Sequence, residues 1–452
     1  MTSNISNVSY ISDFESKYQK GMEMTFKTDG NTEHSCEFNK KMGSVAILLF
    51  HRNLDKFMLV KQFRPAVFTS LVASLPENEG KELNEIAWSS YPASIGETLE
   101  LCAGLIDKDG LTPSQIAAEE VAEECGYRVD ADALIHVATV VVGAHQSGNA
   151  QYVYYAEVDD TQKISEGGGN VDEGEAIQKV FVTVDEARAI GRPREESPAD
   201  LKGPPGVMLA FQWWFLILDP HRKGLIAHPP TGYHWSPTSP KTISDVKFDA
   251  NFDKKKYNYN PKRMQFTLDG MTRLWDLALY PDSATCILVD MHKKELILME
   301  TFRPPVFIGR TRTMSENAGK RLDEIDYSKS DPKWAYSLEL PSLRVPRHSS
   351  PRKFARIAVK QAGYDVPETS LHYVAKCVPG IGQSGDAQFM FVADAAAARR
   401  CEPEHAEPEH VRELRVAFSD LAALYNQRLV GSPNTYFAIG YVLDELLEKS
   451  TL

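Results

Sequence analysis

The segment CAGLIDKDGLTPSQIAAEEVAEECGY, Cys102–Tyr127, reads as the end of a strand, a loop and a helix in succession. Thr112 supplies an N-cap hydroxyl, and Pro113 brings a pre-set φ to the first helical position. Gly126 stops the helix, since glycine accepts the left-handed conformation of a C-terminal cap. Between these ends stand Glu119, Glu120, Glu123 and Glu124. At about 100° per residue they share an arc of roughly 140° on one helix face. Four carboxylates so placed repel one another unless something positive sits over them. A solvated acidic face is one reading. The other is a seat for a hard divalent ion, Mg²⁺ or Mn²⁺, held by a few carboxylates together with substrate phosphates.

Outward from this segment the chain repeats itself. LVKQFRPAVF (Leu59–Phe68) returns as LMETFRPPVF (Leu298–Phe307), and LELCAG (Leu99–Gly104) as LELPSL (Leu338–Leu343). ECGYRV (Glu124–Val129) returns as QAGYDV (Gln361–Val366), and HQSGNAQYVYYAEV (His145–Val158) as GQSGDAQFMFVADA (Gly382–Ala395). The offsets are 239, 239, 237 and 237 residues, in the same order along both halves. Register kept over four separated blocks marks a tandem duplication. The joint falls in HRKGLIAHPPTGYHWSPTSPK, His221–Lys241, where Pro, Gly, Ser and Thr cluster. The expected organisation is a first unit over residues 1–225, a linker over 226–241 and a second unit over 242–452. Ser44–Phe50, Phe57–Phe63, Val137–Gly143 and Ala150–Val158 read as strands, and a second helix is expected at about Val207–Ile217. Mixed strands with few helices point to an α+β, sandwich-like unit.

The halves differ where the acids stand. In the second half Glu119, Glu120, Glu123 and Glu124 become Arg356, Ile357, Lys360 and Gln361, and Ala103–Gly104 becomes Ser342–Leu343. An Ile, a Lys and a Gln cannot hold Mg²⁺ against its hydration shell. The second unit is expected to keep the fold and to lack the chemistry.

Composition narrows the field further. With 452 residues, 42% of them hydrophobic, the chain has material for real cores and is not a disordered polymer. A formal charge of −12 argues against a nucleic-acid or anionic-membrane binder. Six scattered cysteines without a C-x-x-C pair fit a reducing compartment rather than a disulfide framework. No apolar run approaches the roughly 20 residues of a membrane helix, and no signal peptide is legible, so a cytoplasmic protein is expected.

Gly104, Glu120, Val121, Glu123, Glu124, Gly126 and Tyr127 fall on the pattern G-x5-E-x7-R-E-U-x-E-E-x-G-U, U being aliphatic or apolar, with one extra residue before the acidic cluster. The segment resembles the Nudix box. With KQFRPAV, ELCAGL and EECGY beside it, the first half is similar to the uridine diphosphate glucose pyrophosphatase branch of the ADP-ribose pyrophosphatase-like Nudix hydrolases. The resemblance covers nearly all of the first half and, more weakly, the second. Two departures stand out: Glu119 occupies the place of the family's Arg, and Gly110–Leu111 the place of its first Glu.

The resemblance implies two tandem Nudix-type α/β/α sandwich domains, paired within one chain as enzymes of this type pair between chains. It implies Mg²⁺-dependent hydrolysis of nucleoside diphosphate sugars, UDP-glucose giving UMP and glucose 1-phosphate, or ADP-ribose giving AMP and ribose 5-phosphate. Glu120, Glu124 and the Ala103 carbonyl are the implied metal ligands, with Glu123 beside them. A further acid is implied in the late loop Glu166–Gln178, with Glu175 as ligand or base and Glu173 the alternative. Arg64 of Q-F-R-P, echoed by Arg303, is the candidate diphosphate clamp, since a guanidinium matches phosphate oxygens in pairs. A structural ion pair is the competing reading. Gln146 and Ser147 belong to a turn echoed at Gln383–Gly385, read as structural first and near the substrate second, whereas His145, without a counterpart, reads as incidental. The alternative function is a non-catalytic nucleotide-sugar binder or scaffold, favoured by Glu119 and by the degenerate second half.

Overall fold

A computed structural model describes residues 5–450 apart from 13, 17, 19, 31, 109, 171–175, 196, 225–231, 253–260, 404–410 and 429. Each half builds a mixed sheet with the same strand order. In the first half the order is Gln178–Thr183, Lys56–Phe63, Ser44–His51, Asn149–Val158, Ile135–Val142. In the second it is Val411–Ala417, Glu295–Phe302, Asp282–Asp290, Gln388–Asp394, His372–Cys377. The central pairs, Ser44–His51 with Asn149–Val158 and Asp282–Asp290 with Gln388–Asp394, are parallel. A short strand ending each LEL block continues the sheet: Cys102–Leu105 pairs with Ser44–His51, and Ser342–Val345 with Asp282–Asp290.

Side-chain alternation along Ser44–His51 explains the layering. Val45, Ile47 and Leu49 pack with Ile116, Ala117, Val121 and Cys125 of the acidic helix. Ala46, Leu48 and Phe50 face the other way, into a core with Val207, Leu209, Phe211 and Trp214. Helices therefore cover both faces of the sheet, an α/β/α sandwich. The covering helix runs Pro205–Trp213 and continues through a wider π turn at Trp214–Leu218, longer than the Val207–Ile217 expected. No helix among the described residues is long and apolar enough to cross a membrane.

Outside the sandwiches lie two antiparallel ribbons whose turns are written in the sequence. Lys20–Thr28 returns as Thr32–Lys40 through Asp29–Gly30, with φ of 49° and 80°. Pro261–Leu268 returns as Met271–Ala278 through Asp269–Gly270, with φ of 51° and 80°. Positive φ at both central residues makes the second a two-residue hairpin of the Asp-Gly kind, while in the first Thr28 pairs with Thr32 across one residue more. The third strand of each ribbon comes from the opposite half. Ile5–Ile11 pairs with Pro261–Leu268, and Ile243–Asp249 with Lys20–Thr28. These strands cross the boundaries expected at 225 and 242, as does Ala199–Asp200, which adds to the edge of the second-half sheet beside His372–Cys377.

The ribbons then cover the helices that open at each F-R-P. Met264, Phe266 and Leu268 of the second-half ribbon pack on Ala66, Phe68 and Val72 of helix Pro65–Ala73. Met24, Phe26 and Phe38 of the first-half ribbon share a core with Phe302, Phe307 and Ile308 at helix Pro304–Arg312. The exchange continues at the sheet edges: Val141 N–H donates to the Gly431 carbonyl, and Val378 N–H to the Gly203 carbonyl, each at 2.8–2.9 Å.

Candidate active site

The acidic helix forms as its ends dictate. The Thr112 hydroxyl accepts from Gln115 N–H, while the Gln115 side chain reaches back to the Thr112 N–H. This reciprocal box satisfies donors that the first turn would leave unpaired. Gly126, at φ 76°, ends the helix. Between them Pro113–Glu120 is α-helical and Val121–Cys125 is a π turn. The second-half helix, Pro351–Gln361, is α throughout. From N-cap to glycine stop, Thr112–Gly126 holds one residue more than Ser350–Gly363. A π turn is how a helix absorbs one extra residue without unravelling, and such turns gather at functional sites.

The four glutamates consequently do not share one environment, which corrects the single-face expectation. Glu124 is buried at 2% exposure, Glu120 is half-buried, and Glu119 and Glu123 are exposed. The Glu124 carboxylate accepts the Ala103 N–H at 3.0 Å. Burial pushes its pKa up to about 8, against hydrogen bonds from Cys102 and the Ala103 N–H that pull it down. Repulsion from Glu120 and Glu100 adds to the rise. Glu120 lies over Gly104 so closely that an added Cβ there would overlap its carboxylate. A side chain at Gly104 would push the Glu120 carboxylate from this position, and the second half, with Leu343 there, has Ile357 in place of that carboxylate.

Glu119 has a positive partner of its own. Lys108 Nζ donates to it at 2.6 Å, with both side chains about half exposed. Lys108 also lies within the field of Glu120 and Glu123. The place of the family's Arg thus holds a carboxylate, and the cation that meets it stands on the loop.

Arg64 is held in a bidentate pair, Nε to Glu100 Oε1 at 2.8 Å and Nη2 to Glu100 Oε2 at 2.6 Å. Glu100 is buried and also accepts from Thr98. The second half repeats the device, Arg303 on Glu339 at 2.9 and 2.8 Å with Ser337 as third donor. An arrangement kept where the acidic helix has lost its carboxylates belongs to the scaffold, and it ties the start of each F-R-P helix to the strand before the A-G turn. Glu100 is the residue that sequence reading passed over. Its signal was the shared Glu of LELCAG and LELPSL.

Gln146, Ser147 and Gly148 are also explained by packing. The Gln146 carbonyl accepts from Asn39 N–H, and the Ser147 hydroxyl donates to the Val142 carbonyl. Gly148, at φ 59°, sits where a Cβ would overlap the Pro305 carbonyl of the other half, and Gly385 meets Ala66 in the same way. Each Q-S-G turn docks on the F-R-P helix of the opposite half. His145 is carried with it into the field of Glu339, so it is placed at the inter-half contact. Glu173 and Glu175 lie outside the described residues.

Among the described residues no three His, Cys, Asp or Glu side chains converge as a ready-made metal cage. The donor set on offer is nonetheless all oxygen: two glutamates and the main chain at Ala103–Gly104. That suits a hard ion that keeps waters and shares substrate phosphates rather than one caged by protein alone. The buried Glu124 and its like-charged neighbours fit a site that gains from a cation.

No family model matches the chain. Uridine diphosphate glucose pyrophosphatase NUDT14 of Mus musculus is 35% identical over 214 residues, 92% of that protein and 46% of this chain. The Bos taurus protein of the same name is 36% identical over 210 residues, covering 91% of it. GDP-mannose pyrophosphatase of Cronobacter sakazakii is 29% identical over 168 residues, 74% of its length. A Nudix-type box on a capped helix, its carboxylates gathered at the A-G turn, and relatives matched over nine-tenths of their length agree: this chain belongs to the Nudix hydrolase family and is a hydrolase of diphosphate bonds.

Proposed function

We propose that the first half hydrolyses nucleoside diphosphate sugars with Mg²⁺, taking UDP-glucose to UMP and glucose 1-phosphate, and that GDP-mannose and ADP-ribose are its nearest competitors. The observation that carries this reading is the convergence of Glu120 and Glu124 on the Ala103–Gly104 turn. These two carboxylates and the Ala103 carbonyl would hold the ion. A bound divalent ion supplies neutralisation of the diphosphate and a more acidic attacking water. Glu123, exposed on the next turn, and Glu175 of the late loop are the acids left to take the proton. Arg64 holds Glu100 in place beside the site and steadies the strand from which the A-G turn departs.

The second half acts as the partner subunit of a fused dimer. The exchanged strands, the reciprocal docking of Gly148 and Gly385, and blocks repeated in the same order at offsets of 237–239 residues support this reading. A phosphatase-coupled assay on UDP-glucose, GDP-mannose and ADP-ribose, with Mg²⁺ and with EDTA, tests the chemistry. Phosphate release from UDP-glucose only with Mg²⁺ is expected. Absence of release from all three overturns the substrate assignment. Analytical ultracentrifugation of the full chain tests the pairing, with a monomer expected.

A further inference from the structure

A cleft of about 450 Å³ opens between the halves, away from the acidic helix. Its walls come from the first-half strand Ile5–Ile11 at Tyr10, the first-half loop at Lys81, and the second-half residues Lys262, Tyr280 and Arg347. Its position follows from the sheet register. Ser283 pairs with Arg344 in the second half as Ser44 pairs with Leu105 in the first. The same offset of 239 residues sets Arg347 where the first half has Lys108, the residue bonded to Glu119 of the acidic helix. One wall of the cleft is thus the second half's counterpart of the loop that carries Lys108. The helix that follows Arg347 has Ile357, Lys360 and Gln361 where the first half has Glu120, Glu123 and Glu124.

Charge sets this cleft apart. Lys81, Lys262 and Arg347 face it with a single lining carboxylate, Glu82. Lys81 donates to the Asn78 amide oxygen at 3.2 Å and Lys262 to the Ser12 hydroxyl at 2.8 Å. Among the described residues none of the three cations stands within ion-pair distance of a carboxylate, though Arg347 lies in the field of Asp282, in a chain whose net charge is −12. Cations gathered at one concave surface focus a positive potential and draw anions to it. The first half meets a diphosphate with carboxylates and so needs a metal between them. Here the protein's own cations line the cleft, and no metal is required.

We propose that this cleft is a metal-independent binding site for a small phosphate-bearing molecule of the substrate's own class, a nucleotide, a sugar phosphate or the intact nucleotide sugar. The inference rests on the proposed function only for the choice of ligands. Calorimetric titration of the full-length Glu124→Gln chain in EDTA, with UMP, glucose 1-phosphate, UDP-glucose and inorganic phosphate in separate arms, tests it. One-to-one binding of at least one organic phosphate is expected, and the arms tell nucleotide from sugar phosphate. Lys262→Met with Arg347→Met should weaken that binding by about tenfold or more, as loss of charge-assisted hydrogen bonds does. The melting temperature reports that this doubly substituted chain still folds. In the otherwise unaltered chain the same pair should leave Mg²⁺-dependent hydrolysis within about twofold, since neither side chain touches the acidic helix. No binding in any arm, binding of inorganic phosphate alone, or binding indifferent to Lys262 and Arg347 would overturn the proposal. Failure of the hydrolysis reading would appear instead as no Mg²⁺-dependent turnover in the unaltered chain.

Discussion

Pro113–Cys125 and Pro351–Gln361 are the same helix put to different ends. Both start on a hydroxyl N-cap followed by Pro, both bury an apolar face on the sheet, and both stop at a glycine with positive φ. The fold asks no more than this. Only the first has the carboxylates, the π turn and an A-G step bare enough for Glu120 to lie over it. On the proposed reading catalysis is a layer added to a helix that stands without it, and the two layers can be broken separately.

The largest effect is expected from Glu124→Gln, which keeps the Ala103 hydrogen bond and removes the charge. Turnover should fall by about a hundredfold or more, while the melting temperature holds or rises because a buried acid has gone. The counterpart Gln361→Glu should leave turnover alone. Comparable activity in Glu124→Gln would erase the distinction between the helices.

Arg303→Ala attacks what the halves share. Leaving the largely buried Glu339 without its cation, and with the Ser337 hydroxyl still donating to it, should cost about 2–4 kcal/mol in chemical denaturation. Burial alone would raise the Glu339 pKa, but the Arg303 charge and hydrogen bonds hold it down at about 2. An unfolded glutamate titrates near 4.3. A depressed acid stabilises above its unfolded pKa and loses that contribution as pH falls through the folded one. The unaltered chain should shed this stability between roughly pH 4.5 and 2, and Arg303→Ala should lack that part of the acid slope.

Gly148→Ala and Gly385→Ala should each cost about 1–3 kcal/mol, from left-handed backbone and overlap with the opposite half. Thermal melts should rank them nearly equal. A large inequality would show that the halves do not grip each other symmetrically.

The smallest effect belongs to the pair of Lys108 and Glu119. Glu119→Arg sets two cations together and should lower kcat slightly, and adding Lys108→Glu should restore it. Exposed pairs are worth about 0–1 kcal/mol, so changes of no more than about fivefold are expected. A rise with Glu119→Arg alone would show that the family's Arg is still the better residue here.

The sandwich and the acidic helix were legible because local rules wrote them: alternation in Ser44–Phe50, the Thr-Pro start, the Gly126 stop, and blocks repeated in register. The π turn was not, since a widened turn leaves no residue signature beyond a one-residue excess over the sister helix. The ribbons were missed despite a usable sign, Asp29–Gly30 and Asp269–Gly270 between strands that alternate Met22, Met24, Phe26 and Met264, Phe266, Leu268. Their exchange is a long-range choice of partner, which no local pattern encodes. Arg64 shows a different limit. A guanidinium suited to phosphate is equally suited to Glu100, and only geometry tells which one it grips.

The exchanged strands also put a delay into biosynthesis. Ile5–Ile11 leaves the ribosome roughly 250 residues ahead of its partner Pro261–Leu268. At about 5–20 residues per second that is a wait of about 13–50 seconds. During it, Ala66, Phe68 and Val72 lack the ribbon that will cover them, and the nascent first half cannot close. On a crowded polysome the same open strand would be free to pair with the later-made ribbon of a neighbouring chain, giving a strand-exchanged pair in place of a chain closed on itself.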